Sequence, residues 1–335
     1  MKIFIKGIVA ILAGIFLLQF SYFQLAKNYD ERTLQFERIK KKINVENPKV
    51  LLFGDSRILY GVDHTLMGNE FLNVGFWGES VNFSLLKYSK ILENSNGIKM
   101  VIFQIDYNTF SKTNNNFYEA MTYVSKFEDY QIIDNDYKSF LFNRFLYNIS
   151  MLFDSGSRLV FSYGITKTLA KLLNINDPNL TDTKINTKCL NVDYANFGFR
   201  KVNGLLEKKE DLRNKIMNKV KKDYYNTGEI DQKSVENFSE IINLSKKNNI
   251  MLVGLRMPSI LGGVDMTTNL KNIENYIGKL NFDYFLDYRD VLNDPAYFND
   301  QLHLNVKGSE IFSEILRDDL VKILSLKTSK YKCVN

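Results

Sequence analysis

The sequence predicts an α/β fold built on a five-stranded parallel sheet, and three observations lead to that prediction. Short apolar runs alternate with segments that carry apolar residues at helical spacing, which is typical of strands joined by crossover helices. The apolar runs are nearly continuous, as expected for strands buried on both faces of a sheet. The alternation stops near residue 111 and resumes near residue 231, so an insertion interrupts the sheet.

The predicted elements fall into two groups, one on either side of this insertion. Strands are predicted over residues 49–53, 71–76, 99–105, 250–255 and 284–288. Apolar positions at helical spacing predict helices over residues 31–42, 80–94, 234–247, 270–280 and 309–324. Because strands alternate with helices along the chain, we expect helices on both faces of the sheet.

The N-terminal residues 7–26 form an uncharged, largely apolar run. A spanning helix needs roughly 20 such residues, and Tyr22 and Phe23 near the far end suit a membrane interface. A cleaved signal peptide and a buried core helix are the competing interpretations, but the run lacks a small-x-small cleavage site. We expect an uncleaved, single-pass anchor with the body of the protein outside the cytoplasm, in the periplasm or at the cell surface.

These features divide the chain into four predicted parts. Residues 1–27 are the transmembrane anchor and residues 28–48 a juxtamembrane helix. Residues 49–110 and 231–326 together form the α/β core. Residues 111–230 are an aromatic-rich, mostly helical insertion, which packs against the core or, alternatively, faces the bilayer or a membrane partner.

Composition excludes several classes of function. The net charge of +6 is modest and scattered, and no nucleic-acid motif is present, so no nucleic-acid partner is expected. The two cysteines, Cys189 and Cys333, lack metal-ligand spacing, and a metal centre is not expected. The chain has only two histidines, so a histidine base must be His64 or His303.

Two short motifs carry the candidate chemistry. Gly54-Asp55-Ser56 follows the first predicted strand, at the edge where open parallel sheets bind their ligands. Asp300-Gln301-Leu302-His303 places a carboxylate three residues before an imidazole, so Asp300 could orient His303. His303 could then take the proton of Ser56 as general base. Gly54-Asp55-Ser56 alone is weak, because Gly, Asp and Ser are common in turns. The second motif alone is also weak, because an acid and a histidine can occur together by chance at the start of a helix.

The two motifs together resemble those of the SGNH/GDSL-type hydrolase superfamily, one after the first strand and the other before the last helix. Residues 300–308 also look like the family's D-x-x-H-x-N-x-x-G ending. The resemblance covers about residues 49–108 and 249–324. It implies a flavodoxin-like three-layer sandwich, a catalytic set of Ser56, Asp300 and His303, and no metal or diffusible cofactor.

The same resemblance implies an oxyanion hole formed by the amides of Ser56 and Gly78 and the side chain of Asn108. Gly78 follows the second strand in a stretch similar to the family's glycine block. Asn108 follows the third strand, but Asp106 stands where the family has glycine and Thr109 where it has aspartate. Asn108 is therefore assigned by position alone.

Two residues close to Ser56 keep alternative interpretations. Arg57 either binds an anionic group of the substrate or pairs with a carboxylate. His64 is the rival base by its proximity in sequence, but the family pattern does not use it, and we interpret it as a loop or helix-start residue.

The layout of an N-terminal anchor and an SGNH domain resembles the envelope-modifying branch of the family. Its members include the teichoic acid D-alanylation protein and the alginate and peptidoglycan O-acetylation proteins, which work beside a membrane-bound O-acyltransferase. This implies a serine acyltransferase or esterase acting on acyl groups, notably O-acetyl groups, of a cell-envelope polysaccharide or glycolipid. The alternatives are a catalytically degenerate scaffold or binding partner of a membrane acyltransferase, and a lipid esterase.

Overall fold

The computed structural model describes residues 31–106, 109–110, 131, 138, 141, 230–259, 268–292, 294–300 and 302–332. The chain divides into two compact units, residues 1–37 with 117–192 and residues 38–116 with 193–335. The first unit is described over residues 31–37 and at positions 131, 138 and 141. The second unit contains the sheet. Most of the predicted insertion, residues 111–230, lies outside the described residues.

Five parallel strands form one sheet in the order β2-β1-β3-β4-β5. In chain order the strands are β1 Val50–Phe53, β2 Phe71–Asn73, β3 Met100–Gln104, β4 Met251–Arg256 and β5 Tyr284–Asp287. The predicted α/β class and parallel sheet are confirmed. The clearest difference is β2, which is shorter than predicted because the chain turns at Asn73, whose side-chain oxygen accepts the Gly75 amide at 2.9 Å.

The described helices lie between the strands and at the two ends of the core. They are α1 Glu31–Glu46, α2 Ser56–Gly61, α3 Val81–Leu92, α4 Gln232–Lys247, α5 Thr268–Ile277 and α6 Val306–Lys332. Two short 3₁₀ helices, His64–Leu66 and Pro295–Tyr297, follow α2 and precede α6. The first helix continues past residue 42, where Ile43 is still buried in the core, and the last helix begins at Val306 and continues past residue 324.

One face of the sheet packs against α2 and α6. Side chains alternate along a strand, so Leu52 of β1 points to this face. It belongs to a buried cluster with Ile58 of α2 and Phe312 of α6. Because α2 and α6 pack together on this face, the segments that carry Ser56 and His303 are brought to the same region.

The opposite face packs against α3 and α4. Phe53 of β1 and Phe103 of β3 stack with ring centroids 4.6 Å apart. Tyr88 of α3 packs edge-on against Phe53 at 5.6 Å, and Phe238 of α4 packs edge-on against Phe103 at 5.9 Å. Helices therefore cover both faces, as the alternation of strands and helices predicted.

A buried ion pair fixes the start of α3 beside β2. Glu79 and Lys87 form this pair, and each side chain is only 1% exposed. The Lys87 ammonium also donates to the carbonyl of Val74, and the Ser84 hydroxyl donates to the second oxygen of Glu79 at 2.7 Å. These bonds hold the loop between β2 and α3 in place.

The predicted anchor, residues 7–26, lies outside the described residues. Within the described part of the chain, no helix is long and apolar enough to span a bilayer.

Candidate active site

Ser56 lies at the carboxyl end of β1, as the first residue of α2. Asp55 is the N-cap of this helix, and its side chain accepts the amide of Arg57 at 2.8 Å. The amide of Ser56 belongs to the first turn, where backbone donors have no acceptor within the helix. The strand end therefore presents both the hydroxyl and the amide of Ser56 at the edge of the sheet.

Ser56, His303 and Asp300 form one hydrogen-bonded chain. The Ser56 hydroxyl oxygen lies 2.7 Å from Nε2 of His303. Nδ1 of His303 lies 2.8 Å from one carboxylate oxygen of Asp300 and 3.0 Å from the other. An ionised carboxylate only accepts, so Nδ1 carries the proton in this network and Nε2 is free to accept from Ser56.

The Asp300 carboxylate is held in its ionised form by a local turn. Burial alone would raise its pKa, but the His303 side chain and the amides of Leu302 and His303 all donate to it. Their combined effect lowers the pKa of Asp300 below its ordinary value. At neutral pH this carboxylate can therefore stabilise a positive charge on the imidazole.

The loop that carries His303 is fixed by the side chain of Asn305. Its amide nitrogen donates to the carbonyl of Ala296 at 2.8 Å, and its oxygen accepts the amide of Gly308 at 3.0 Å. The His303 carbonyl accepts the amide of Asn299 at 2.8 Å. Asn305 and Gly308 are two of the residues that gave the sequence its resemblance to the family ending, and here they close the turn that holds His303.

Tyr60 contacts the imidazole of His303 from the side, and the sequence analysis missed it. Its ring packs edge-on against the His303 imidazole with centroids 5.5 Å apart and an interplanar angle of 74°. Tyr60 lies one helical turn after Ser56 on α2, so the two side chains share a face. The four-residue spacing between Ser56 and Tyr60 could have indicated that Tyr60 lies beside the site.

Arg57 lies between two carboxylates. Its guanidinium donates to Asp55 at 2.6 Å and pairs with Asp106, which follows β3. Gln104 adds a bridge, accepting the Asp55 amide at 3.1 Å and donating to Asp106 at 2.9 Å. Of the two interpretations of Arg57, pairing with a carboxylate is the one that these contacts support.

Asp55 is ionised despite its burial. Burial acts to raise its pKa, but the charge and hydrogen bonds of Arg57 outweigh this and lower the pKa. The sequence analysis did not predict the network with Asp106 and Gln104, although it expected the ends of the first and third strands to meet.

The structure describes two of the three residues implied for the oxyanion hole, Ser56 and Gly78. Gly78 has a positive φ of 62° and lies in an open turn after β2, and its amide donates to no acceptor among the described residues. The Ser56 amide lies in the first turn of α2. Asn108 lies outside the described residues, although its neighbours Asp106 and Thr109 are placed, with the Asp106 amide donating to the Thr109 hydroxyl at 3.0 Å.

His64 is buried away from the serine. It begins the 3₁₀ helix after α2 and is 2% exposed, and its Nε2 lies 3.0 Å from the ammonium of Lys42 on α1. Burial first, and then the charge of Lys42, lowers the pKa of His64 to about 3. It is a neutral, structural histidine that begins a helix, the position that the sequence analysis gave it.

No family model matches the sequence, and no curated protein matches it. The site therefore has to be interpreted from its own geometry. A hydroxyl, an imidazole and a carboxylate in series are able to activate the hydroxyl as a nucleophile. In the part of the chain that the structure describes, no group of three or more His, Cys, Asp or Glu residues is placed to hold a metal ion.

Proposed function

We propose that this protein is a serine acyltransferase or esterase of the SGNH/GDSL type that works through an acyl-Ser56 intermediate. The observation that supports it most directly is the 2.7 Å contact between Ser56 and His303, with Asp300 on the opposite nitrogen of the imidazole. The strand order β2-β1-β3-β4-β5 supports the flavodoxin-like form of the fold.

In the first half of the reaction, Ser56 attacks the acyl carbonyl carbon of an ester. His303 takes the hydroxyl proton at Nε2 as the new bond forms, and Asp300 stabilises the resulting imidazolium. The tetrahedral intermediate collapses by breaking the bond to the leaving alcohol, which takes the proton back from His303. The acyl group is then attached to Ser56.

In the second half, an acceptor hydroxyl attacks the acyl-serine. The acceptor is water in an esterase and a sugar hydroxyl in a transferase. His303 removes its proton, and collapse of the second tetrahedral intermediate returns that proton to Ser56. Both reactions use the same residues and differ only in the acceptor.

The negative oxygen of each intermediate needs hydrogen-bond donors. The amides of Ser56 and Gly78 are the proposed backbone donors, and Asn108 is the proposed side-chain donor. Removing one such donor typically lowers the rate by roughly 10²–10³. The Gly78 amide donates to no acceptor among the described residues, which leaves it available for this role.

The proposed substrate is an acyl group, notably O-acetyl, on a cell-envelope polysaccharide or glycolipid. The apolar run at residues 7–26 supports a membrane-anchored protein whose active site faces outward. A membrane-bound O-acyltransferase that supplies acyl groups across the bilayer is the proposed partner.

The test compares the full-length protein with Ser56→Ala, both purified in detergent. Wild-type protein is expected to hydrolyse p-nitrophenyl acetate and to label with a fluorophosphonate, and the variant is expected to do neither. Ser309→Ala is the matched control, because Ser309 lies on α6 and not in the hydrogen-bonded chain. Equal turnover by wild type and Ser56→Ala would refute the proposal, and folded wild-type protein that does not label would favour an inactive scaffold.

A further inference from the structure

The imidazole of His303 makes hydrogen bonds with both of its ring nitrogens, and solvent reaches them. Nε2 lies 2.7 Å from the Ser56 hydroxyl oxygen, and Nδ1 lies 2.8 Å from the nearer carboxylate oxygen of Asp300. The side chains of His303 and Asp300 are 23% and 42% exposed. Because water competes for these hydrogen bonds, they add only modestly to the stability of one orientation of the ring. An apolar contact that excludes water would hold the imidazole more firmly.

Tyr60 supplies such a contact. Its ring packs edge-on against the imidazole of His303, with centroids 5.5 Å apart and an interplanar angle of 74°. Aromatic pairs favour this edge-on arrangement at centroid distances of about 4.5–7 Å. Burial raises the pKa of the Tyr60 hydroxyl above its ordinary value, so the side chain adds no charge beside His303. The contact therefore acts through packing of the two rings.

The chain segments that carry the two rings are packed against each other in the core. A Cβ atom at Gly61, the residue after Tyr60, would lie 3.6 Å from Cδ1 of Leu304. Leu304 is the residue after His303 and is 2% exposed. Both rings are therefore attached to backbone that is fixed by burial, and Tyr60 has little freedom to move away from the imidazole.

The proposed reaction uses Nε2 of His303 twice in each half. This nitrogen first takes a proton from the attacking hydroxyl and then gives it to the departing oxygen. Between the two transfers, an imidazolium that tilted away from Ser56 would face water instead of the reacting oxygen. Placement matters at this stage, because a displacement of about 1 Å can lower a rate about 10²-fold.

We infer that Tyr60 is a positioning residue for His303, whose ring keeps the imidazole aimed at Ser56 while the base carries the transferred proton. In this role Tyr60 acts through His303 and not through the substrate, so both halves of the reaction depend on it. The inference rests on the proposed function and adds to it a residue that controls the geometry of the base.

The test compares Tyr60→Leu, which removes the ring, with Tyr60→Phe, which keeps it, in the full-length protein. The rate of fluorophosphonate labelling reports the attack of Ser56, and steady-state turnover of p-nitrophenyl acetate also includes release of the acyl group. Tyr284→Leu is the matched control. It makes the same change at a tyrosine that is 36% exposed on β5, the strand at the far edge of the sheet.

Tyr60→Leu is expected to lower both the labelling rate and kcat about three- to ten-fold, the effect of losing one edge-on aromatic contact, with KM unchanged. Tyr60→Phe should restore most of both rates, because it keeps the ring. Tyr284→Leu should match wild type in both assays. If Tyr60→Leu is not folded by circular dichroism, Tyr60→Met takes its place, because methionine adapts to irregular gaps, and the same losses are expected.

Other outcomes separate this inference from the proposed function. If turnover depends on Ser56 but folded Tyr60→Leu matches wild type, the positioning role is refuted and the proposed function stands. The same holds if Tyr60→Phe loses as much as Tyr60→Leu, because the hydroxyl and not the ring would then matter. A raised KM with unchanged kcat would also refute it, as a sign of substrate contact. If wild type neither labels nor turns over the ester in a Ser56-dependent way, the proposed function itself fails.

Discussion

Ser56 and His303 lie 2.7 Å apart between Oγ and Nε2, although they are separated by 247 positions in the chain. The contact depends on α2 and α6 packing side by side on one face of the sheet. Asp300 reaches the same imidazole through a turn of only three residues. The Ser56–His303 contact therefore depends on the packing of distant elements, whereas the Asp300–His303 contact forms within one short turn.

Mutation of the two histidines should have clearly different effects on activity. His303→Asn removes the proposed base and should lower kcat on p-nitrophenyl acetate about 10²–10⁴-fold. His64→Asn should keep most of its turnover, because His64 is 2% exposed and bonded to Lys42. Initial rates on protein shown to be folded by circular dichroism provide the measurement. A folded His64→Asn protein as inactive as His303→Asn would contradict the assignment of the base.

The Asp55 carboxylate should make the free energy of unfolding depend on pH in the acid range. Its pKa is lowered in the folded protein, so its ionised form stabilises the fold above the ordinary value of 3.8. This contribution is lost as the pH falls through the lowered, folded-state pKa. Asp55→Asn keeps a capping side chain but removes the charge, so it should be less stable than wild type at pH 7, with a gap that shrinks below about pH 4.

Urea unfolding at several pH values between 7 and 3 measures this gap. Asp294→Asn is the matched control, because Asp294 caps the exposed 3₁₀ turn before α6 and accepts the Ala296 amide at 3.0 Å. A gap for Asp55→Asn that stayed constant down to pH 3 would show that its charge does not stabilise the fold.

The buried pair of Glu79 and Lys87 should be costly to break. Both side chains are 1% exposed, so Lys87→Met leaves a buried, uncompensated carboxylate and should cost about 3–5 kcal/mol of stability. The double variant Glu79→Gln with Lys87→Met should lose less than Lys87→Met alone. Lys90→Met, on the same helix, breaks an exposed pair with Glu93 and should cost at most about 0.5 kcal/mol. Urea titrations compare all three, and equal losses for the two single variants would refute a special role for burial.

Gly308 should be needed to place His303. A Cβ atom at this position would lie 2.1 Å from the carbonyl oxygen of Tyr297, which is too close for any real contact. Gly308→Ala must therefore shift the turn that Asn305 closes, lowering both stability and kcat, with a stability loss of about 1–3 kcal/mol.

Gly278→Ala is the control for this position, because its nearest neighbour would be a carbonyl oxygen 3.4 Å away. Thermal melts and initial rates on p-nitrophenyl acetate are the measurements. Wild-type activity in Gly308→Ala would show that the turn can move without affecting His303.

The sequence by itself determined the features that depend on neighbouring residues. Alternating apolar runs and helical spacing predicted the parallel α/β sheet, because burial on both faces leaves a continuous apolar pattern. The contact between Asp300 and His303 was also predictable, because side chains three residues apart can face each other in a turn.

Only the tertiary structure decided which distant groups meet. The neighbouring ends of β1 and β3 bring Arg57 to Asp106, and the packing of α1 over the 3₁₀ turn buries His64 against Lys42. Which side chains meet across the strands and helices depends on how whole surfaces pack together. A local pattern of residues does not determine that packing.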